Sequence, residues 1–361
     1  VCSSDLIVTE SGFVGKFGPR VRLDGCSDVQ PQHFARMFIA GPDADALVEV
    51  VARSHGQTLH VITGTLRDAE GTGVAGAHVH ALRADDGNYV TRARTDATGA
   101  FTVHVPVGVD VALSGYLRGY PIAGPTTVTA ATNTQDLAFG PTGTIHIAPV
   151  EDQNGLEIPA KVQIIAHGAT TVPPLPARGG EDEPGSSRFD IRYLLAGESA
   201  DIRVPYGEYR VITSRGFRYE IAGDAVPADV ITIDAATPTV AVAPVLTEVI
   251  DAPSVFCADF HIHTRRSNDA PDDPVLKLRA AAAEGLEIPV RSEHEYVEDW
   301  DDVVLGELDS GAFMIGLGSV EMTTMESYGH FGVFPLDEDP EKPNGGTPLW
   351  QEFPTVTVRL H

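Results

Sequence analysis

Two histidines separated by one residue, His261 and His263, end a short apolar run and can both bind a single metal cation. The run before them, Val255-Phe256-Cys257-Ala258, predicts a buried strand. A buried strand of this kind presents its polar residues at its carboxyl end, where catalytic and ligand-binding groups collect. The sequence therefore predicts a metal site that begins at this pair.

Other residues with metal-binding side chains follow the pair along the chain. Imidazole nitrogens and carboxylate oxygens bind the metals used in hydrolysis, and a carboxylate is needed to bridge two ions. Glu321 is the best bridging candidate in this segment. We predict a cluster of two or three metal ions, with the ligands His261, His263, Asp269, His294, Glu321 and His330.

Such a cluster supports hydrolysis without a cysteine or serine nucleophile. A bound Zn²⁺ lowers the pKa of its water to about 7, which produces hydroxide at neutral pH. We expect Glu321 and His294 to take part in the reaction, and Arg265 to be a further catalytic candidate. Arg265 and Arg266 can clamp a phosphate or a carboxylate.

The elements that position these residues read as strand, helix and strand. Asp273 and Pro274 predict the N-cap and first residue of a helix, and Gly285 predicts its end. Strands are predicted at 286–290 and 313–317. Because the active site of a β/α barrel lies at the carboxyl ends of its strands, this order predicts part of such a barrel.

The preceding part of the chain predicts β modules. Short alternating strands with Gly and Asp turns between Gly64 and Pro106 indicate a small β-sandwich, and a second β-rich block runs from Gly143 to Val249. A Pro- and Gly-rich loop at 173–185 interrupts that block. His78 and His80 repeat the HxH spacing, but we interpret them as solvent-facing strand residues because no further ligand motif follows them.

Composition limits the function classes. The net charge of -26 repels polyanions, so we expect no binding to long nucleic acids. No apolar run reaches the roughly 20 residues needed to cross a bilayer. The chain has only 3 cysteines, too few and too scattered to indicate a disulfide framework.

From Asp259 to Leu336 the sequence resembles the PHP (polymerase and histidinol phosphatase) superfamily of metal-dependent hydrolases, in its carbaryl-hydrolase-like branch. The second family motif, usually Thr-Asp-His, corresponds to Ser292-Glu293-His294, and the third to Ser319-Val320-Glu321 with Tyr328-Gly329-His330-Phe331. The first motif is matched by Asp259, His261, His263, Thr264, Ser267 and Asp269. The segment from Gly64 to Gly108 is similar to the carboxypeptidase-regulatory-like β-sandwich, through Ala75-Gly76-Ala77 and the run from Thr95 to Phe101.

The resemblance implies a multidomain fold of all-β sandwich modules followed by a partial α/β domain, a distorted barrel. It implies Zn, Mn or Fe ions and a small-molecule substrate with an ester or phosphoester bond. The family completes its cluster with ligands further along, and His361 matches no family motif, so we expect a fragment cut at both ends and inactive alone. The predicted divisions are an N-terminal remnant at 1–60, the sandwich at 61–135, a second β-rich domain at 140–250 and the truncated barrel at 251–361.

Two alternatives accompany the hydrolase hypothesis. One is a nucleotide phosphatase or exonuclease of the same superfamily, since the acidic charge does not exclude a mononucleotide. The other is a cell-surface protein whose β modules bind a partner and whose last domain is a degenerate catalytic remnant. β modules of this type are common in exported proteins, so we expect an extracytoplasmic or secreted location.

Overall fold

The computed structural model describes residues 43–170, 188–226, 228–251, 253–300, 302–323 and 329–347. Most of the predicted N-terminal remnant, the predicted loop at 173–185, Tyr328 and His361 lie outside these described residues. The chain forms two compact units, Val1–Pro141 and Thr142–His361. In the part that the structure describes, no helix is long and apolar enough to cross a membrane.

The first unit consists of two β-sheets that share one apolar core. Its sheets have the strand orders β4-β1-β7 and β3-β2-β5-β6. Strand β4 shows why these residues form a sheet, because Phe101, Val103 and Val105 alternate inward while the intervening residues are less buried. The elements are α1 (Ala44–Ser54), β1 (Leu59–Arg67), β2 (His78–Arg83), β3 (Tyr89–Arg94), β4 (Ala100–Pro106), β5 (Val111–Tyr116), β6 (Ala123–Val128) and β7 (Leu137–Ala138).

The prediction for the His78 and His80 pair is wrong in part. His80 lies in β2 and is only 1% exposed, whereas His78 is half-buried. Residues 79–81 are all buried, because β2 is an interior strand of its sheet, between β3 and β5. Simple alternation therefore fails at this position.

The second unit begins with a larger β-rich part. Its two main sheets have the orders β11-β10-β13-β14 and β12-β8-β15, and the short strands β16 and β9 pair with each other. Ile145, Val162, Ile164 and Ile233 are fully buried between them. The strands are β8 (Thr142–Ile147), β9 (Glu151–Asp152), β10 (Ala160–His167), β11 (Arg188–Leu194), β12 (Ala200–Pro205), β13 (Gly207–Ser214), β14 (Val230–Ile233), β15 (Thr239–Val242) and β16 (Val245–Leu246).

The last part of the second unit is a small parallel sheet with one α-helix and a β-hairpin. The sheet has the order β17-β18-β19, and β20 pairs with β21 in antiparallel fashion. The elements are β17 (Ala258–Ile262), α2 (Pro274–Ala283), β18 (Ile288–Arg291), a π-helical turn (Asp302–Glu307), β19 (Leu317–Gly318), β20 (Val320–Thr323), β21 (His330–Val333) and a 3₁₀ turn (Pro343–Gly346).

The predicted partial barrel is wrong. The described residues contain 21 strands and only two α-helices, and the parallel sheet in question has three strands. The predicted strand at 255–258 is displaced to β17, and Val255 and Phe256 are 59% and 58% exposed. The predicted strand at 313–317 is reduced to the two residues of β19, because the amides of Phe313 and Met314 turn back to the carbonyl of Ser310.

A buried arginine fixes α2 against the β-rich part of its unit. Arg215 is 7% exposed and donates from Nη1 to the carbonyl oxygens of Pro159, at 2.7 Å, and Ala282, at 2.6 Å. The second bond satisfies a carbonyl at the carboxyl end of the helix, where a cation is also favoured by the helix dipole. Burial lowers the pKa of Arg215, yet these contacts keep the guanidinium in place.

A buried tyrosine provides a test of the core of the second unit. Tyr209 is fully buried, burial raises the pKa of its hydroxyl, and that hydroxyl donates to the carbonyl of Pro205 at 2.8 Å. We expect Tyr209→Phe to lower the free energy of unfolding by about 1–2 kcal/mol, because the buried carbonyl loses this partner. Urea unfolding measures this change.

Tyr193→Phe is the matched control, because the structure gives its half-buried side chain no hydroxyl hydrogen bond among the described residues. Equal stability losses in the two variants would contradict the role assigned to the Tyr209 hydroxyl.

Candidate metal centre

The predicted ligands come together at the carboxyl end of the parallel sheet. β17 carries His261 and is followed by His263, while β18 is followed by His294. Glu321 lies in β20 and His330 begins β21. A parallel bridge between His294 and Glu321 joins the sheet to the hairpin, with the Glu321 amide donating to the Glu293 carbonyl at 2.9 Å.

Glu321 lies at the centre of the cluster. Its Oε2 is 3.1 Å from His261 Nε2, 2.9 Å from His263 Nε2 and 3.5 Å from His294 Nδ1. Its Oε1 is 2.9 Å from His330 Nδ1. Each carboxylate oxygen therefore faces a different set of imidazoles, as a carboxylate that bridges two ions must do.

Asp269 and His294 form the other side of the cluster. Asp269 Oδ2 is 3.1 Å from His294 Nε2, and its Oδ1 is 4.0 Å from His263 Nδ1. The rings of His263 and His294 lie close together, with centroids 4.6 Å apart. The structure thus places all six predicted ligands in one cluster, whose role in metal binding stays a prediction.

The donor atoms have separations that suit metal binding. Three overlapping groups each keep their ligand atoms within 4.8 Å of one another: His261, His263 and Glu321; His263, Asp269 and His294; His294, Glu321 and His330. Metal–nitrogen and metal–oxygen bonds of roughly 2.0–2.2 Å in a tetrahedron place neighbouring ligand atoms about 3.3–3.6 Å apart. The distance of 2.7 Å between the Nε2 atoms of His261 and His263 is somewhat shorter, and both atoms converge on one point with Glu321.

The surroundings shift the pKa of two members of the cluster, His263 and Glu321. Burial is the main cause that lowers the pKa of His263, so its ring stays neutral and able to bind a metal. Burial alone acts to raise the pKa of Glu321. The hydrogen bond from His261 and the attraction to His261 and His294 outweigh burial and hold that pKa below its ordinary value.

A fully buried carboxylate, Glu293, holds the loop that follows His263. It accepts hydrogen bonds from the amides of Thr264 and Ser267, each at 3.1 Å, and from both of their hydroxyls. Arg291 donates to it from Nε at 3.0 Å. Burial acts to raise the pKa of Glu293, but these donors together hold it below its ordinary value.

Three residues that contact the predicted ligands were given no function from the sequence. Glu293 and Ser267 appear there only as motif matches, and Thr323, whose hydroxyl is 2.5 Å from His294 Nδ1, does not appear at all. The order Glu-His at a strand end was the sequence signal for Glu293, but it did not indicate which groups the Glu293 carboxylate contacts. Thr323 carried no signal, because it contacts His294 only through the hairpin register.

The predicted catalytic arginine, Arg265, forms its ion pair outside the cluster of predicted ligands. Arg265 Nη1 forms an exposed ion pair with Asp273 at 2.6 Å, and Arg266 pairs with Glu298 and lies over the ring of Tyr296. A role in catalysis for Glu321, His294 and Arg265 stays a prediction. An open groove of about 680 Å³ adjoins the cluster on the side of α2 and is lined by His261, His263 and Asp269.

Comparisons with known proteins do not support the family resemblances that the sequence motifs indicated. No family model matches the chain, and no curated protein does. Among solved structures, a streptococcal ancillary pilin covers 53% of this chain at 11% identity with a TM-score of 0.30, and the chain spans 62% of that pilin. The shaft pilin SpaA of Lactobacillus rhamnosus GG covers 54% at 8% identity, with a TM-score of 0.29 and all of its own length matched. A minor pilin of Streptococcus agalactiae covers 54% at 14% identity, with a TM-score of 0.29 and 98% of its length matched.

The assignment to the PHP superfamily and to the carboxypeptidase-regulatory-like family is therefore wrong as a family identification. The hydrolase function that depended on it is corrected as well, together with its phosphatase or exonuclease variant, because neither a family match nor a β/α barrel supports it. Of the hypotheses drawn from the sequence, the β-module protein agrees better with this mostly β chain.

The Glu293 contacts make a quantitative prediction about stability. We expect Glu293→Ala to lower the free energy of unfolding by about 3–5 kcal/mol, because it removes one of the two carboxylates that pair with the buried Arg291 guanidinium and leaves the buried donors of the loop without their acceptor. Chemical unfolding of the metal-free protein measures the effect.

Glu284→Ala is the matched control, since Glu284 is 42% exposed and pairs with Lys161 on the surface. We expect a loss below about 1 kcal/mol there. A loss of that small size in Glu293→Ala would show that Glu293 does not hold the loop.

Proposed function

We propose that this chain belongs to an extracytoplasmic β-module protein whose last module binds divalent metal ions. The single observation that carries the proposal is the convergence of four imidazoles on the two oxygens of Glu321. Nitrogen and oxygen donors without thiolate fit Zn²⁺, Mn²⁺ or Fe²⁺. Two ions sharing Glu321 would use both of its oxygens.

The ions would act as a structural link within the last module. Their ligands come from β17, from the loop after it, from the end of β18 and from both strands of the hairpin. The hairpin has only a small apolar core, with Val297, Val320 and Met322 buried, whereas Ile262 of β17 packs in a separate cluster with Leu278 and Trp300. A bound ion stabilises the folded state in proportion to the logarithm of its concentration above Kd, about 2.7 kcal/mol at a hundredfold excess.

We also propose a secreted or cell-surface location for the protein. The β-rich parts before the metal centre would serve as spacer or binding modules, as in exported modular proteins. The strongly acidic charge favours partners other than nucleic acid. Recovery of the full-length protein from the cell-surface fraction supports this location, and recovery from the cytoplasm alone would contradict it.

Metal content is the direct test. We expect the purified protein to retain at least one equivalent of Zn²⁺ or Mn²⁺ after desalting, and EDTA to lower its melting temperature reversibly. Glu321→Gln and His263→Ala should each weaken binding roughly 100-fold or more, about 2.7 kcal/mol, as measured by isothermal titration.

His146→Ala is the matched control, because His146 is an exposed histidine of the same unit that pairs with Asp201 outside the cluster. If the wild type takes up no metal, or if all three variants bind equally, the proposed metal centre is wrong.

The proposal also fixes the direction of the pH dependence. An imidazole must be neutral to bind a metal, so uptake should weaken as the pH falls. Because burial lowers the pKa of His263 from 6.5, this ligand stays neutral at pH values where an ordinary histidine begins to protonate. Metal titrations between pH 5 and 8, with His263→Ala for comparison, should show affinity rising with pH. Affinity independent of pH would exclude histidine ligation.

A further inference from the structure

The Ser267 hydroxyl lies between a buried carboxylate and a predicted metal ligand. Its Oγ is 2.6 Å from Glu293 Oε2 and 3.0 Å from His263 Nδ1, and the amide of His294 reaches it at 3.0 Å. Ser267 is 4% exposed and Glu293 is fully buried, so these contacts are shielded from solvent. The hydroxyl therefore has three close polar neighbours and one proton to donate.

The direction of each hydrogen bond follows from the chemistry of the partners. An ionised carboxylate can only accept, so the Ser267 hydroxyl donates its proton to Glu293. The amide of His294 can only donate, so Ser267 Oγ accepts from it. The remaining lone pair of Oγ faces His263 Nδ1, and a hydrogen bond forms there only if Nδ1 carries a proton.

We infer that Ser267, oriented by Glu293, is a positioning residue that selects the Nδ1–H tautomer of His263 and leaves the lone pair on Nε2 for a metal ion. The inference rests on the proposed function for the part that concerns metal affinity. Nε2 is the atom that faces the cluster, 2.9 Å from Glu321 Oε2 and 2.7 Å from His261 Nε2. The opposite tautomer would donate from Nε2 to Glu321 Oε2, 2.9 Å away, and would place a proton where the ion has to bind.

The other acceptor near Nδ1 is too far away to take over this role. Asp269 Oδ1 lies 4.0 Å from His263 Nδ1, which is beyond hydrogen-bond distance. Ser267 also touches a second ligand of the cluster through the amide of His294. A single hydroxyl thus orients one ligand ring and anchors the backbone of another, as the groups around metal ligands commonly do.

The experiment has two independent readouts in the full chain. The first is the tautomer of His263 in metal-free protein at about pH 8.5, where an imidazole is neutral, read from its ¹⁵N and ¹H shifts. The second is the Kd for Zn²⁺ by titration. We expect wild type to show Nδ1–H, and Ser267→Ala to lose that preference and to bind Zn²⁺ 10- to 100-fold more weakly.

Ser310→Ala is the matched control, since Ser310 is a buried serine of the same unit, 2% exposed, that bonds to the carbonyl of Leu308. It should change neither readout. A wild-type His263 in the Nε2–H form, or a Ser267→Ala variant whose tautomer and Kd match wild type, would overturn the inference. If wild type takes up no Zn²⁺, the proposed function fails, while the tautomer measurement still decides the role of Ser267.

Discussion

The burial of the Glu293 carboxylate is the constraint on which the centre depends. A charge removed from water costs several kcal/mol unless it is paired and fully hydrogen-bonded. Glu293 is paired with Arg291 and accepts hydrogen bonds from the loop that begins at Thr264. That loop starts directly after His263 and includes Asp269. The hydrogen bonds between the loop and Glu293 therefore also fix the positions of these two residues.

The buried pair of Glu293 and Arg291 also contacts the next segment of the chain, through Arg291. Arg291 donates to the carbonyl of Asp299 at 3.0 Å and pairs with Glu298 at 2.7 Å, and its guanidinium lies 4.9 Å from the ring centroid of Trp300. Arg215 is a second buried arginine of this kind and bonds to the Ala282 carbonyl at the carboxyl end of α2. These polar contacts act together with the apolar cluster of Ile262, Leu278 and Trp300 to position the elements of the last module.

Local signals in the sequence predicted some elements well. Helix α2 begins at Pro274 with Asp273 as its N-cap, as the turn chemistry indicated, and Gly285 follows the end of the helix with a positive φ of 77°. Strand limits and the larger architecture were not predictable in this way. The run at 255–258 is apolar, but all except Ala258 precede β17, and Val255 and Phe256 are exposed. His80 is buried because β2 has a strand on each side. Hydrophobic patterns do not specify which strands are interior, and short motifs do not specify whether a sheet closes into a barrel.

The convergence of the ligands itself argues for a cation rather than for a purely structural histidine cluster. If the four imidazoles were protonated, two carboxylates, Glu321 and Asp269, would have to offset four positive charges at separations near 3 Å. If the imidazoles are neutral, each ring offers one N–H and one lone pair, so only one of the two Nε2 atoms of His261 and His263, 2.7 Å apart, can carry a proton. The other nitrogen then presents its lone pair close to Glu321 Oε2. A divalent ion among these three atoms would remove that repulsion, because their lone pairs would then face a positive charge.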